Sequence, residues 1–328
     1  MAPKYPVLPS LRAADSLLKS STAAITGDLV YAGDKTKWRK FCNGLRLRYL
    51  LRSSSKLSSA GSEMQKIVTD GTIFQNASEG AELTLPSSVP YAFPSITERS
   101  GDYAIKYCNT LLYNFFVNTG DQQRLSLLFA KNVTNQIASG FNFSYYGGMP
   151  IVSDANTSQV NSSSGFNNTI FLSNPSSIVL KSRIITYQEV QFILAEASLK
   201  GLITGTPATY YNNGVLGAYA DYGIDATSAA AYLANPNVVY NPLNALNQIV
   251  TQKWVGNFDV GFEGWIEYRR TGIPAFDATS ANLNGGKIST RFLYPPDEQT
   301  INTANYQAEL KIQGGGAEST IYKAWWEK

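Results

Sequence analysis

Glu263 and Glu267 stand four residues apart in the segment VGFEGWIEYRRTGIP, whose periodicity predicts a helix ending at Gly272 and Pro274. That spacing stacks two carboxylates on one helix face. Two carboxyls roughly 5–9.5 Å apart are what glycosidic bond hydrolysis requires. The same spacing is common among solvated side chains. The sequence contains no histidine, which removes the commonest general base and the commonest metal ligand. Catalysis would have to rest on Asp, Glu, Tyr or Lys. No Gly-x-Ser-x-Gly elbow, phosphate-binding loop or dinucleotide fingerprint is present. The reading is of a protein that is not an enzyme, with no catalytic residues, no metal ligands and no cofactor. A Ca²⁺ ion held by Asp and backbone oxygens stays open, although no EF-hand-like loop is present.

Other residues suit recognition without chemistry. The chain has 20 Tyr, abundant Asn, Ser and Gly, and only 16% charged residues. A surface of this kind makes neutral hydrogen bonds, and it suits uncharged polar ligands such as sugars. Aromatic faces stack on sugar rings at low entropic cost, and Tyr adds a polar handle. Tyr145 and Tyr146 have this character, with Gly147 and Gly148 following them to turn the backbone and present the rings. Phe141, Asn142 and Phe143 lie beside them, and Tyr91 sits in the proline-punctuated loop PSSVPYAFPS. The competing reading is that these aromatics pack a small core under a long loop.

The elements that position these residues are mostly helical. Residues 10–135 form a first helical part, 136–182 an irregular loop region, 183–274 paired helices, and 275–328 an aperiodic C-terminal segment. In GDKTKWRKFCNGLRLRYLLR, Trp38, Phe41, Cys42, Leu45 and Tyr49 make one apolar stripe, with Asp34 as N-cap. Its Lys and Arg residues, from Lys35 to Arg52, read as a solvated basic face or as a contact for an acidic partner or anionic lipid. A helix over DYAIKYCNTLLYNFFVNTGDQQRLSLLFA breaks at Gly120. ITYQEVQFILAEASLKG carries a capping box, Thr186 and Glu189, a stripe of Val190, Ile193, Leu194 and Ala197, and a stop at Gly201. Pro207 and Asn241–Pro242 open two further helices. Each pair buries one face on the next, as in TPR-like solenoids, although the strict TPR consensus is absent.

The net charge of +3, from 27 basic and 24 acidic residues, is too small to argue for nucleic acid, and no second basic segment accompanies the Lys35–Arg52 helix. The two cysteines, Cys42 and Cys108, sit among apolar residues and read as buried free thiols. No apolar run approaches the roughly 20 residues of a membrane span, and MAPKYPVLPS has no signal-peptide core.

Taken together, these stretches resemble the SusD/RagB family of outer-membrane glycan-binding lipoproteins of Bacteroidetes. YAGDKTKWRKFCNGLRLRYLLR is similar to the family's Lys-Trp-x-Lys-Phe helix ending in Leu-Arg-x-Arg. ITYQEVQFILAEASLKG is similar to its Ala-Glu-Ala helix, and QKWVGNFDVGFEGWIEYRRTGIP to its helix pair ending Trp-x-Glu-x-Arg-Arg-Thr-Gly-x-Pro. RFLYPPDEQTINTANYQAEL and KAWWEK fit the closing motifs. The resemblance implies an all-α fold of TPR-like helical hairpins in an α-α superhelix, with a long irregular, ligand-facing region. It implies capture of oligosaccharide at the cell surface and delivery to a SusC-like TonB-dependent transporter. The motif residues would then be scaffold, and the loops would hold the glycan. Relatives begin with a lipoprotein signal, a lipidated Cys and further helices, so the sequence reads as the C-terminal portion of a lipid-anchored outer-membrane protein. Where relatives often have Asp-Pro-Arg, this chain has Asp121, Gln122, Gln123, Arg124. The alternatives are a scaffold subunit that binds a non-glycan nutrient such as peptide, and a carbohydrate-active enzyme.

Overall fold

The computed structural model of the chain describes residues 7–86, 88, 90–97, 106–136, 141–151, 162–174, 177–276, 282, 284–313 and 316–327. In chain order its elements are α1 (Val7–Ser20), α2 (Lys35–Ser53), α3 (Ala60–Asp70), β1 (Ala81–Thr84), α4 (Pro94–Thr97), α5 (Thr110–Thr119), α6 (Gln122–Leu128), β2 (Asn132–Gln136), β3 (Phe141–Tyr145), α7 (Asn168–Phe171), β4 (Lys181–Ile185), α8 (Tyr187–Leu199), α9 (Pro207–Asp221), α10 (Ala226–Leu233), α11 (Ala245–Gly256), α12 (Glu263–Thr271), α13 (Pro296–Ile301) and α14 (Thr303–Ile312).

α8 organises the molecule. The Glu189 N–H donates to the Thr186 hydroxyl at 3.3 Å, which fixes the start of the helix. Gly201, at φ +67°, ends it in the left-handed conformation that glycine adopts without strain. The four residues of the sequence stripe face one core, with Leu47, Leu50 and Leu51 of α2 and Met64 and Ile67 of α3. The opposite side of α8 is apolar as well. Phe192 and Ala195 enter a second core with Tyr211, Val215 and Tyr219 of α9, Tyr232 of α10 and Ile249 of α11. A helix that is apolar on both sides sits inside the fold, and Gln188 through Ala197 are all buried. Each fully buried Leu, Ile or Phe contributes about 1.5–3 kcal/mol. α9 comes close enough to α8 that a Cβ on Gly214 would lie 2.6 Å from the Phe192 ring.

A third core gathers Cys108, Leu112 and Phe116 of and beside α5, Leu125 and Leu128 of α6, Phe129, Phe171, Tyr222 and Val255. The expected break at Gly120 is present, at φ +68°. Asp121 follows it as N-cap of α6, pairs with Arg124 at 2.5 Å, and accepts the Tyr219 hydroxyl at 2.7 Å. The Arg124 guanidinium sits 5.1 and 5.4 Å from the Tyr219 and Tyr232 rings. With Gln122 and Gln123 between them, Asp121 and Arg124 still meet as an ion pair.

Three expectations are corrected. The region 136–182 is not wholly irregular: β3 pairs antiparallel with β2, setting Asn132 opposite Tyr145, and β4 pairs with β1, setting Ala81 opposite Ile185. The segment 275–328 contains α13 and α14. α14 buries only Tyr306 and Leu310, which is too short an apolar pattern to register as periodicity. The basic face of α2 is neither solvated nor presented to a partner for the most part. Arg39 pairs with Asp15 at 2.8 Å, Lys40 with Glu79 at 2.5 Å, Arg48 with Glu189 at 2.6 Å and Arg52 with Glu263 at 2.5 Å. Cys42 and Cys108 are buried free thiols.

Candidate functional site

The two carboxylates that could do chemistry lie inside a charge network. Glu267 holds Arg270 and Lys253, each at 2.7 Å. The Arg270 fork also donates to both carboxylate oxygens of Glu196 at 2.6 Å. Glu263 pairs with Arg52 at 2.5 Å and lies 3.7 Å from Arg48. Burial alone would raise the Glu267 carboxyl. The charges of Arg270 and Lys253 outweigh burial and hold it well below the usual carboxylate range. A glycosidase acid needs the opposite shift. Glu263 and Glu267 therefore serve structure. Glu189 differs from its expected role too: its carboxylate takes two hydrogen bonds from Arg48, at 2.7 and 2.6 Å, and only the Thr186 half of the capping box forms. Nearby, Arg269 lies between the rings of Trp265 (4.5 Å) and Trp326 (4.9 Å) and pairs with buried Glu327, which ties down the C-terminal segment.

The aromatic candidates have separate placements. Tyr145 ends β3 and is 37% exposed. Tyr146 is half-buried: it packs on the third core, with the Lys131 ammonium 5.8 Å from its ring. Tyr91 is 70% exposed, and its neighbours Phe93 and Ile96 pack on that same core. Tyr91 and Tyr145 thus project from segments anchored on common ground, although no ring contact joins them among the described residues. Phe141, Asn142 and Phe143 lie on β3, and their side chains fall outside the described residues.

Gly147 and Gly148 do something other than turn the chain. Neither has a positive φ. A Cβ on Gly147 would lie 2.0 Å from the Ser162 carbonyl oxygen, and one on Gly148 would lie 2.5 Å from the Thr110 Cα. The pair lets the strand exit pass against the start of α5, where the Thr110 N–H donates to the Met149 carbonyl at 2.8 Å. Both neighbours are backbone and cannot swing away. Gly148→Ala is expected to destabilise by about 1–3 kcal/mol and to shift Tyr145 and Tyr146. Urea unfolding checks the first effect, and ligand affinity the second.

One surface escaped the sequence reading. Phe262 and Phe292 are 63% and 66% exposed. With Trp265 they form an aromatic cluster, with ring centroids 5.5 to 6.1 Å apart. Residues 262 and 292 lie in different motifs, so no local pattern links them. Beside this cluster, Tyr268, Thr271, Phe276, Lys287, Thr290 and Lys323 help line an open cleft of ≈ 740 Å³. Among the described residues no group of three or more His, Cys, Asp or Glu is placed to hold a metal ion, and no helix is long and apolar enough to cross a membrane.

A family profile described as starch-binding and associating with the outer membrane matches residues 5–295. The chain belongs to the SusD-like family. Solved structures agree. An outer-membrane protein of Bacteroides vulgatus, assigned to nutrient binding, is 25% identical with a TM-score of 0.85, over 98% of this chain and 74% of that one. A chitin-binding protein is 25% identical with a TM-score of 0.81, over 98% and 71%. A SusD homologue of Bacteroides fragilis shares the fold at 22% identity, with a TM-score of 0.83 over 97% and 73%. No curated protein matches the chain. SusD-like membership places it among nutrient-binding proteins associated with the outer membrane, and the TPR-like helical scaffold expected from the sequence is the one observed. Glu189, Glu196, Glu267 and Arg270, which fall in the family motifs, hold that scaffold together.

Proposed function

We propose that this SusD-like protein captures oligosaccharide at the cell surface and passes it to a SusC-like TonB-dependent transporter, held to the outer membrane by a lipid and performing no chemistry of its own. The observation that carries this reading is the exposure of Tyr145 and Tyr91 beside residues packed on one core, in a family described as starch-binding. Exposed rings on a fixed base offer sugar-stacking area without an ordering cost on binding. Tyr146, with Lys131 behind it, supports Tyr145, and Phe141, Asn142 and Phe143 extend the same strand. The ion pairs that occupy Glu263 and Glu267 speak against the hydrolase alternative. Migration through gels containing soluble polysaccharides provides the test. The wild type is expected to be retarded by at least one polysaccharide, and Tyr145→Ala with Tyr146→Ala is expected to lose at least about tenfold in affinity, the range of one lost stacking contact. Equal retardation of both would remove the site from this strand.

The scaffold alternative has one observation in its favour, exposed Phe262 and Phe292 clustered with half-buried Trp265. Under that reading Phe262→Ser with Phe292→Ser abolishes co-purification with the transporter and leaves glycan retardation intact.

A further inference from the structure

We propose that the cavity between α1, α2 and α3 is a binding site for a phosphate group, either free or esterified to a lipid headgroup. The cavity measures ≈ 430 Å³ and is lined by Arg12, Arg46, Ser59, Ser62, Glu63 and Lys66. Arg46 is the residue that singles it out. Along α2, the cations Arg39, Lys40, Arg48 and Arg52 each meet a carboxylate. Arg46 has none among the described residues. Its Nη1 donates to the neutral Asn43 Oδ1 at 2.8 Å, and its side chain helps line the cavity. The two carboxylates near it are already engaged: Glu63 by Arg12 at 2.5 Å and by the Ser59 hydroxyl at 3.3 Å, and Asp15 by Arg39 at 2.8 Å.

The charge count follows. In the lining, three cations, Arg12, Arg46 and Lys66, face one anion, Glu63, and the adjacent Arg39–Asp15 pair is neutral, which leaves a surplus of two. Burial, and then the charge of Arg12, depresses the Arg46 guanidinium below its ordinary value. An arginine does not release its proton at physiological pH, so the repulsion stays in the folded state until an anion offsets it. A phosphate monoester carries a charge of about −1.5 to −2 near neutrality and balances that surplus. A planar carboxylate would offset half of it. The guanidinium fork matches two oxygens of a tetrahedral phosphate in a bidentate arrangement. This site goes beyond the glycan reading and does not depend on it.

The test uses the whole chain. Inorganic phosphate is titrated at constant ionic strength in chloride, and thermal unfolding is followed. A saturable rise in Tm is expected. Arg46→Gln and, separately, Lys66→Gln should each weaken the apparent phosphate affinity about tenfold, the loss of one charge-assisted contact. Lys66 is exposed, so its substitution reports on binding without threatening the fold. Lys37→Gln, a cation of the same helix outside the cavity, should change nothing. A flotation arm separates the sources. Wild type that floats with vesicles containing phosphatidic acid, but not with phosphatidylcholine alone, assigns a lipid headgroup, and Arg46→Gln abolishes the flotation. Phosphate binding without flotation assigns the free ion. The proposal is overturned if phosphate does no more than matched chloride and no vesicle recruits the protein, or if both cavity variants bind as the wild type does.

Discussion

Arg270→Met is expected to cost the fold about 3–5 kcal/mol at neutral pH, the range for breaking a buried ion pair by removing one partner. Arg270 holds two carboxylates at once, Glu196 on α8 and Glu267 on α12. Side-chain exposure is 0% for Glu196 and 5% for Glu267, so water cannot replace the guanidinium. Lys253 and Lys200 would remain, one on each acid. The loss should depend on pH. Burial opposes ionisation of Glu196, but Arg270 outweighs it and lowers that carboxyl from 4.5 to about 2, and Glu267 moves in the same direction. Between those pH values the unfolded chain binds more protons than the native one. Stability from these acids is therefore complete above about pH 4.5 and is lost as pH falls toward 2. Removing Arg270 deletes most of that stabilisation. Urea midpoints should show a large gap between wild type and variant at pH 7 and a smaller one at pH 3. Equal gaps would mean the cost is packing alone.

Asp221→Asn should act in the opposite direction and stabilise the protein by as much as about 4 kcal/mol at pH 8, since each tenfold change in proton affinity is worth about 1.4 kcal/mol. Asp221 is the last residue of α9, where the helix dipole disfavours an anion. Burial pushes its carboxyl from 3.8 up to about 7, and the opposing charge of Arg183 does not compensate. Arg183 is directed elsewhere: it pairs with Asp259 at 2.6 Å and donates to the backbone carbonyl of Asp221 at 3.2 Å. The folded carboxyl holds its proton where the unfolded one has lost it. Stability thus falls as pH rises from about 4 to about 7, and the cost is full above that. Asn keeps the shape and removes the charge. The gain should be large at pH 8 and vanish at pH 4, as read by thermal unfolding. A pH-independent gain would contradict this account of the site.

What was legible in the sequence was local. Asp34, Thr186, Pro207, Gly120, Gly201 and Gly272 act on backbone within a few residues of themselves, and the helices they bound are where the residues put them. What was not legible depends on partners far along the chain. The basic helix looked solvated because Asp15, Glu79, Glu189 and Glu263 lie 24, 39, 141 and 211 residues from the cations they meet. α8 looked one-sided because Phe192 and Ala195 find their partners only once α9 to α11 have folded back. The Gly147–Gly148 pair resembles a turn in sequence, whereas the approach of Thr110 and Ser162 is what demands it. The aromatic residue types on β3 are legible in the sequence. The burial that separates exposed Tyr145 from half-buried Tyr146 is tertiary.

The most direct test is calorimetric titration of the intact chain with soluble starch and with chitin oligosaccharides, in parallel with Tyr145→Ala and Tyr91→Ala. The account predicts saturable heat with at least one glycan, weakened in both variants while their unfolding curves stay unchanged. No heat from any glycan, with a mixture of peptides producing saturable binding instead, would contradict it and make this SusD-like protein a receptor for a different nutrient.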